Sequence, residues 1–268
     1  MRDKVTFVFF KKLHFLIQYS LFIFVLSLCM QNASQAEDKV IKLATRMHLP
    51  PYVYHNAASG IEIDLIKAIF ADIGRKIEFV QMPRVRMIET YDRGELEGIL
   101  TQNANVSNIG CITDWYIEHQ NIGFTLASEP FVLTKLSDLK GMSVLSFDGA
   151  TRYLGKGFSD AVKGNKLYEE ATNQESHIEL IYKRRFNVVV GDEWILRLAQ
   201  RNYFTNTGKY QKMVAHKIMP ASLYSARFKN PVICEKFNVS LAKIRSSGEY
   251  VQIVNSYHQN IMIAGNRF

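Results

Sequence analysis

Glycine and proline are scarce in this chain, with 15 Gly and 6 Pro among 268 residues. Collagen-like and low-complexity proteins need far more of both, so those classes are excluded. Basic residues outnumber acidic ones, 33 against 25, but no run of five or more basic residues occurs. Scattered charge of this kind gives no sign of a nucleic-acid interface, and we expect no nucleic-acid partner.

The motifs of metal centres and common enzymes are also missing. The sequence has no CxxC or HExxH motif and its histidines are dispersed, so we predict no zinc site, no other metal and no cofactor. The sequence contains no Gly-x-Ser-x-Gly, no P-loop and no nucleophile adjacent to a base, which favours a protein that is not an enzyme. A dehydratase-like or lyase-like enzyme stays as an alternative, because Glu62, Asp192 and His48 could still converge in space.

Residues 1–36 have the three parts of a secretory signal peptide. Four basic residues lie within 1–12, and a mostly apolar stretch follows over 13–30. Small residues are present at Ser34 and Ala36. We predict cleavage after Ala36 and a soluble periplasmic protein. The alternative is an uncleaved anchor, since the apolar stretch is near the minimum length that spans a bilayer.

Two cysteines remain beyond the predicted cleavage point, Cys111 and Cys234. In an oxidising compartment they can form a disulfide, and two buried free thiols are the alternative.

Apolar residues recur at strand and helix spacing in alternating segments. The first series predicts strands at 41–44, 77–80 and 98–101, with helices over 65–73 and 83–93 between them. The pattern restarts with a strand at 142–147, a helix from Arg152, a helix opened by a capping box from Thr172 to Glu175, a strand at 188–190 and a helix over 193–201.

Extended runs at 120–125 and 222–227 connect the two series, and two helical patterns at 231–245 and 250–257 end the chain. We therefore predict an α/β protein of two lobes, each a mostly parallel sheet flanked by helices, with two crossing strands as a hinge. The expected boundaries are 37–117 and 222–268 for the first lobe and 118–221 for the second.

Several motifs resemble bacterial solute-binding proteins of family 3, the amino-acid-binding type. They are Pro50-Pro51-Tyr52, Gly60-Ile61-Glu62-Ile63-Asp64-Leu65, Gly94-Glu95-Leu96-Glu97-Gly98, Val189-Val190-Gly191-Asp192 and Ser247-Gly248-Glu249-Tyr250. The resemblance implies a type II periplasmic-binding-protein fold. It also implies a monomeric receptor that closes on a small polar or amino-acid-like solute and serves an ABC importer permease or a membrane sensor.

The resemblance and the strand ends together indicate ligand-binding residues. Tyr52 follows the first strand and Asp192 ends a buried one, where α/β sheets bind ligands. The Tyr52 ring could stack on the solute, with packing beside its loop as the alternative. Asp192 matches the family's acid for a ligand amino group, with helix capping as the alternative. The backbone N–H groups of Ala150, Thr151 and Arg152 open a helix and could hold a carboxylate or phosphate. The alternative is an ordinary helix start with Asp148 as its cap.

The chain departs from the family at one important position. The family commonly has Thr-x-x-x-Arg to grip a carboxylate, whereas here Thr101 is followed four residues later by Asn105. Arg86 is our candidate replacement, with a solvated helix face as the alternative. Trp115 and Tyr116 are expected to wall the pocket or to pack beside the hinge. The missing arginine keeps open a further alternative, an interaction protein that has lost its ligand.

Overall fold

The structure is a computed structural model that describes residues 40–103 and 107–263. The predicted signal peptide, its cleavage site and Asn105 lie outside the described residues. No helix within the described part of the chain is long and apolar enough to span a membrane.

Strands and helices alternate along most of the described chain. The strands are β1 (Ile41–Thr45), β2 (Ile77–Gln81), β3 (Gly98–Gln102), β4 (Cys111–His119), β5 (Asn121–Leu126), β6 (Val144–Phe147), β7 (Tyr168–Ala171), β8 (Val188–Asp192), β9 (Met213–His216) and β10 (Ser222–Phe228). The helices are α1 (Ile61–Ile73), α2 (Arg84–Asp92), α3 (Ala150–Tyr153), α4 (Gly155–Val162), α5 (Gln174–Tyr182), α6 (Glu193–Thr207), α7 (Pro231–Ser246) and α8 (Glu249–Ile263), with short 3₁₀ turns at His55–Ala57 and Leu136–Leu139.

The strands form two five-stranded sheets, ordered β2-β1-β3-β10-β4 and β7-β6-β8-β5-β9. In each sheet three strands pair in parallel, and the other two join antiparallel. The chain passes from the first sheet to the second at Gln120 and returns through 217–221. The predicted α/β class is confirmed, with mixed sheets because the crossing strands run against the others.

The first sheet is covered by helices whose apolar faces match their sequence pattern. In α1, Leu65, Ile66, Ile69 and Phe70 are fully buried and pack with residues of α7 in one cluster. The helix ends at Gly74, whose φ of 73° is the left-handed conformation that glycine adopts without a steric penalty. Its amide donates to the carbonyls of Ala71 and Phe70. The 3.6-residue period therefore determines which face of α1 meets the core.

The second sheet is built around β8, whose five residues are all buried. Val188, Val189 and Val190 are central in the sheet and have helices packed against them, as a continuous apolar run predicts for a strand covered on both faces.

Several elements differ from those predicted. The helix expected from Arg152 is interrupted, because Gly155, the first residue of α4, has a φ of 82°. The predicted capping box at Thr172 is wrong: Asn173 is the N-cap of α5, and its side-chain oxygen accepts from the Glu175 amide. Strands β4, β7 and β9 were not predicted.

The two cysteines form a disulfide that ties the edge strand β4 to helix α7. Their sulfur atoms are 1.96 Å apart and their positions are 123 residues apart in sequence. Of the two alternatives left open by the sequence, the structure contains the bridge.

Candidate functional site

A cavity of about 230 Å³ lies between the two sheets. The cavity lies at the carboxyl ends of β1 in the first sheet and of β6 and β8 in the second. Arg46 follows β1, Phe147 ends β6 and Asp192 ends β8, and all three residues line the cavity. Residues of β4, β5 and β10 complete the wall, namely His119, Asn121, Ser222 and Tyr224. Open α/β sheets bind ligands at this edge, so the cavity is the candidate site.

Two arginines face the cavity from the first sheet. Arg46 directly follows β1, and Arg84 is the first residue of α2. Both are partly buried. No carboxylate oxygen of the described residues lies within 4.0 Å of either guanidinium group, so neither arginine forms an ion pair there. Burial lowers the pKa of Arg84, with the charge of Arg46 as the second cause, yet a guanidinium stays protonated. Such a pair is suited to an anionic group of a ligand.

Asp192 uses both of its carboxylate oxygens within the protein. Oδ1 accepts from the backbone amides of Trp194 and Ile195, each at 3.0 Å, and so caps α6. Oδ2 accepts from the Tyr52 hydroxyl at 3.0 Å. Asp192 is 3% exposed, and desolvation raises its pKa to about 7 although all three hydrogen bonds oppose that rise.

The hydrogen bond between Tyr52 and Asp192 crosses the cleft, because Tyr52 follows β1 of the first sheet and Asp192 ends β8 of the second. The Tyr52 ring is 2% exposed and stacks on His119 with centroids 4.0 Å apart. Tyr52 is thereby covered by residues that line the cavity. The sequence predicts both residues at the cleft, but it does not predict the hydrogen bond between them.

His119 is a neutral wall residue at this site. Burial, with the charge of Arg46 as a second cause, lowers the pKa of His119 to about 3. Its Nε2 is buried and has no hydrogen-bond partner among the described residues. His119 therefore contributes an uncharged ring to the wall rather than a positive charge.

Arg86, the predicted replacement for the family arginine, is exposed on α2, whereas Arg84 lines the cavity. Two residues along a helix differ by about 200° in direction, since one turn takes 3.6 residues. The helix therefore presents only one of the two arginines to the cleft.

The hydroxyls of Thr101 and Tyr116 both donate to Glu62 Oε1. The hydrogen bond from Thr101 is 2.6 Å long. All three side chains are buried, and burial raises the pKa of Glu62. Trp115 is 38% exposed, and the Arg245 guanidinium lies 4.0 Å from its ring centroid. Neither Trp115 nor Tyr116 is among the residues that line the cavity.

The predicted anion site at the start of α3 holds a carboxylate of the protein itself. Glu170, on the unpredicted strand β7, accepts from the amides of Gly149 at 2.7 Å and Thr151 at 2.8 Å. The Thr151 hydroxyl donates to the same carboxylate at 2.9 Å. Ala150 is fully buried in the core, and Arg152 donates to the Tyr153 hydroxyl at 2.8 Å. Glu170 thus takes the place that a ligand anion was expected to occupy.

Sequence reasoning missed Arg46, His119, Gln174 and Tyr224, which all line the cavity. A signal existed for Arg46, because it directly follows β1, most of which the predicted strand at 41–44 covers. His119 and Tyr224 lie on β4 and β10, and their approach depends on how the two sheets face each other.

Comparison with known proteins gives one family and a consistent set of folds. The model of bacterial extracellular solute-binding proteins, family 3, matches residues 41–260. A search of the curated proteins finds no match.

Solved structures share the fold at low sequence identity. An ancestral arginine-binding protein bound to arginine is 22% identical, with 82% of this chain and 99% of that chain covered and a TM-score of 0.61. A histidine kinase sensor domain with similarity to periplasmic binding proteins is 19% identical, covering 83% and 97%, with a TM-score of 0.62. The second substrate-binding domain of GlnP from Lactococcus lactis is 19% identical, covering 82% and 96%, with a TM-score of 0.60.

These neighbours confirm the predicted type II periplasmic-binding-protein fold. Because the family model spans most of the described residues, the chain belongs to the bacterial extracellular solute-binding proteins of family 3.

Proposed function

We propose that this protein is a receptor for a small carboxylate-bearing solute, which it holds in the cleft between its two sheets. The supporting observation is the pair Arg46 and Arg84, two partly buried guanidinium groups that face one cavity without a described carboxylate in ion-pair range. Desolvated arginines bind carboxylates strongly and in a defined orientation. They supply the function for which the family commonly uses the arginine missing after Thr101.

We further propose where the protein acts, how the chain divides into lobes and which partner receives the solute. We take the protein to be exported through residues 1–36 and to act as a monomer in the periplasm. The lobes are 37–117 with 222–268, and 118–221, a division that sheet membership supports. The solute is passed to an ABC importer permease or reported to a membrane sensor. Neighbours of both kinds support this part, a transporter substrate-binding domain and a kinase sensor domain.

The enzyme alternative gains no support from the geometry. Glu62 is bonded to Thr101 and Tyr116 in the first sheet, Asp192 is bonded to Tyr52, and His48 is exposed and stacked on His55 at 3.8 Å. The three side chains are thus engaged in separate contacts. The interaction-protein alternative is tested together with the proposal, since it requires an empty cleft.

A thermal-shift screen of the purified mature protein tests the proposal, with monocarboxylates, dicarboxylates, amino acids, sugars and polyamines as separate sets. A ligand at 100 times its dissociation constant stabilises the folded protein by about 2.7 kcal/mol. We expect hits among carboxylates, and a loss of affinity of about 30-fold or more in Arg84→Gln.

Arg86→Gln is the matched control, two residues away on the same helix and exposed. It should bind like the wild type. If Arg84→Gln binds carboxylates as tightly as Arg86→Gln, the arginine pair is not the anion site. If no set stabilises the protein, the interaction-protein alternative takes its place.

A further inference from the structure

Aromatic rings from the sides of both sheets line the candidate cavity. Phe147 ends β6 of the second sheet, and Tyr153 ends the short helix α3 that follows it. His119 and Tyr224 belong to β4 and β10 of the first sheet. Burial lowers the pKa of His119 to about 3, so its ring is uncharged at neutral pH. The arginine pair is therefore set in a wall of uncharged rings, which bears on the part of the solute beyond its carboxylate.

The Tyr153 ring is held in place by its neighbours, although 42% of the residue is exposed. It stacks on Phe147, with centroids 6.5 Å apart and ring planes inclined by 29°. Its hydroxyl accepts from the Arg152 guanidinium at 2.8 Å. The ring also lies against Gly149, where a Cβ atom would be only 2.8 Å from Cε2 of the tyrosine, so the absence of a side chain at this position allows the approach. Tyr153 is thus a built part of the cavity wall.

Tyr153 also connects the aromatic wall to the anion site. The Arg84 guanidinium, from α2 beside the first sheet, lies 5.8 Å from the centroid of the Tyr153 ring, within the limit of about 6 Å for a cation–π contact. Two aromatic rings pair at centroid distances of about 4.5–7 Å. A solute ring paired with Tyr153 would therefore have Arg84 close to it, which calls for a carboxylate attached to the ring directly or through a short chain.

The volume of the cavity suits a single aromatic ring with its carboxylate. The cavity measures about 230 Å³, and a cavity of about 150 Å³ lined by apolar side chains is enough to bind benzene. Leu49, Leu154 and Ile195 also line it and add aliphatic surface around the rings. An aromatic solute of this size would bury its ring against side chains that are themselves apolar.

The charges in the wall favour one carboxylate on the solute rather than two. The arginine pair carries two positive charges. Two carboxyl groups line the same cavity, an exposed one from Asp148 and a buried one from Asp192. Burial raises the pKa of Asp192 to about 7, so about half of it is charged at pH 7 and an excess of positive charge remains. A single carboxylate neutralises that excess, whereas a second one near Asp148 would meet like charge.

We propose that the cleft selects an aromatic monocarboxylate, whose ring packs against Tyr153 and Phe147 while the arginine pair holds its carboxylate. The carboxylate end of this assignment rests on the proposed function. The two rings are added as residues that determine specificity, and the solute needs no α-ammonium group.

Calorimetric titration of the mature protein with three small solutes isolates the contribution of the ring. Benzoate is compared with cyclohexanecarboxylate, which has the same carbon skeleton without the π system, and with benzamide, which keeps the ring and lacks the charge. We expect benzoate to bind about two- to tenfold more tightly than cyclohexanecarboxylate, the range for a contact between aromatic rings. Benzamide should bind about 30-fold more weakly than benzoate or worse. Phenylacetate and 3-phenylpropionate, each with its cyclohexyl counterpart, establish the best spacing between ring and carboxylate.

Tyr153→Leu and Phe147→Leu should each lower the preference for the aromatic over the saturated ring by at least about twofold, because leucine keeps apolar bulk without a π system. The ratio of the two affinities is the readout, since a disturbance of Arg84 or of folding affects both solutes alike. Tyr210→Leu is the control. Tyr210 is 40% exposed, does not line the cavity, and its replacement should leave the preference unchanged.

Equal affinity for the aromatic and the saturated carboxylates, with both lost in Arg84→Gln, would refute the aromatic class while the anion site stands. The class would also be wrong if the preference persisted in both Tyr153→Leu and Phe147→Leu. Phenylalanine binding more tightly than 3-phenylpropionate would overturn it too, because that gain requires an acid of the cleft to recognise the α-ammonium group. If no aromatic carboxylate binds, the class is refuted, and the proposed function fails with it only if the whole carboxylate screen is empty.

Discussion

Replacing Asp192 with asparagine should remove a specific pH dependence of stability. The folded carboxyl has a pKa of about 7 because it is buried, and its ordinary pKa is 3.8. Between these two values the folded protein holds a proton that the unfolded chain has released. The stabilisation from this group is therefore complete below about pH 4 and is lost as the pH rises to about 7.

The size of the effect follows from the same values. Each pH unit across the window changes the free energy of unfolding by about 1.36 kcal/mol, so roughly three units give about 4 kcal/mol. The asparagine side chain in Asp192→Asn does not titrate, and its oxygen can still accept from the amides of Trp194 and Ile195. Relative to the wild type, the variant should gain about 4 kcal/mol as the pH rises from 4 to 7.

Urea denaturation of both proteins at pH 4, 5, 6, 7 and 8 measures this difference. Taking the difference is essential, because the lowered pKa values of His119, His177 and His258 make stability fall with acid in both proteins. Asp160→Asn is the control, since Asp160 is exposed and paired with Lys156. A difference that is flat with pH, or that falls as the pH rises, would refute a carboxyl destabilised by burial.

Two further predictions concern the disulfide and the contact across the cleft. Unfolded, unreduced mature protein should show no free thiol. The double variant Cys111→Ser, Cys234→Ser should have a free energy of unfolding lower by about 2–5 kcal/mol, as expected when a native cross-link over a long loop is removed. Two reactive thiols in the wild type would contradict the bridge. Tyr52→Phe should lower the free energy of unfolding by about 1–3 kcal/mol, because it leaves Asp192 Oδ2 buried without its donor. The same variant should bind 2-aminohexanoate more tightly than the wild type does, and unchanged affinity would show that Tyr52 does not compete with an α-ammonium group.

Much of the fold could be predicted because its central elements are strongly patterned. The helical spacing of Leu65, Ile66, Ile69 and Phe70, the stop at Gly74 and the continuous apolar strand at 188–190 each indicate one structure. The missed strands lie at sheet edges, where one side has no pairing partner within the described sheets. Strand β4 alternates buried and exposed residues only in part, and β7 and β9 are four residues long, so their local patterns are weak.

The candidate site was harder to predict, because it depends on which partner each side chain meets. Asp192 ends strand β8 as predicted, whereas Tyr52 lies seven residues beyond the end of β1 at Thr45. Their contact joins positions 140 residues apart in sequence. The donors at Gly149 and Thr151 suit an anion, as their position at a helix start indicates. Only the pairing of β6 with β7 shows that Glu170 is the anion that they bind.

These internal contacts bear directly on the class of solute. Asp192, the acid that the family resemblance assigns to an amino group, is saturated by protein donors, and the amides of Gly149 and Thr151 near α3 already donate to Glu170. A solute that used the family's positions would have to break both sets of hydrogen bonds. Arg46 and Arg84 line the cavity without an ion pair among the described residues, and the Arg84 guanidinium lies 5.8 Å from the centroid of the Tyr153 ring. A carboxylate held by this pair leaves both sets of hydrogen bonds intact, and for that reason the cleft favours recognition of a carboxylate at the two arginines.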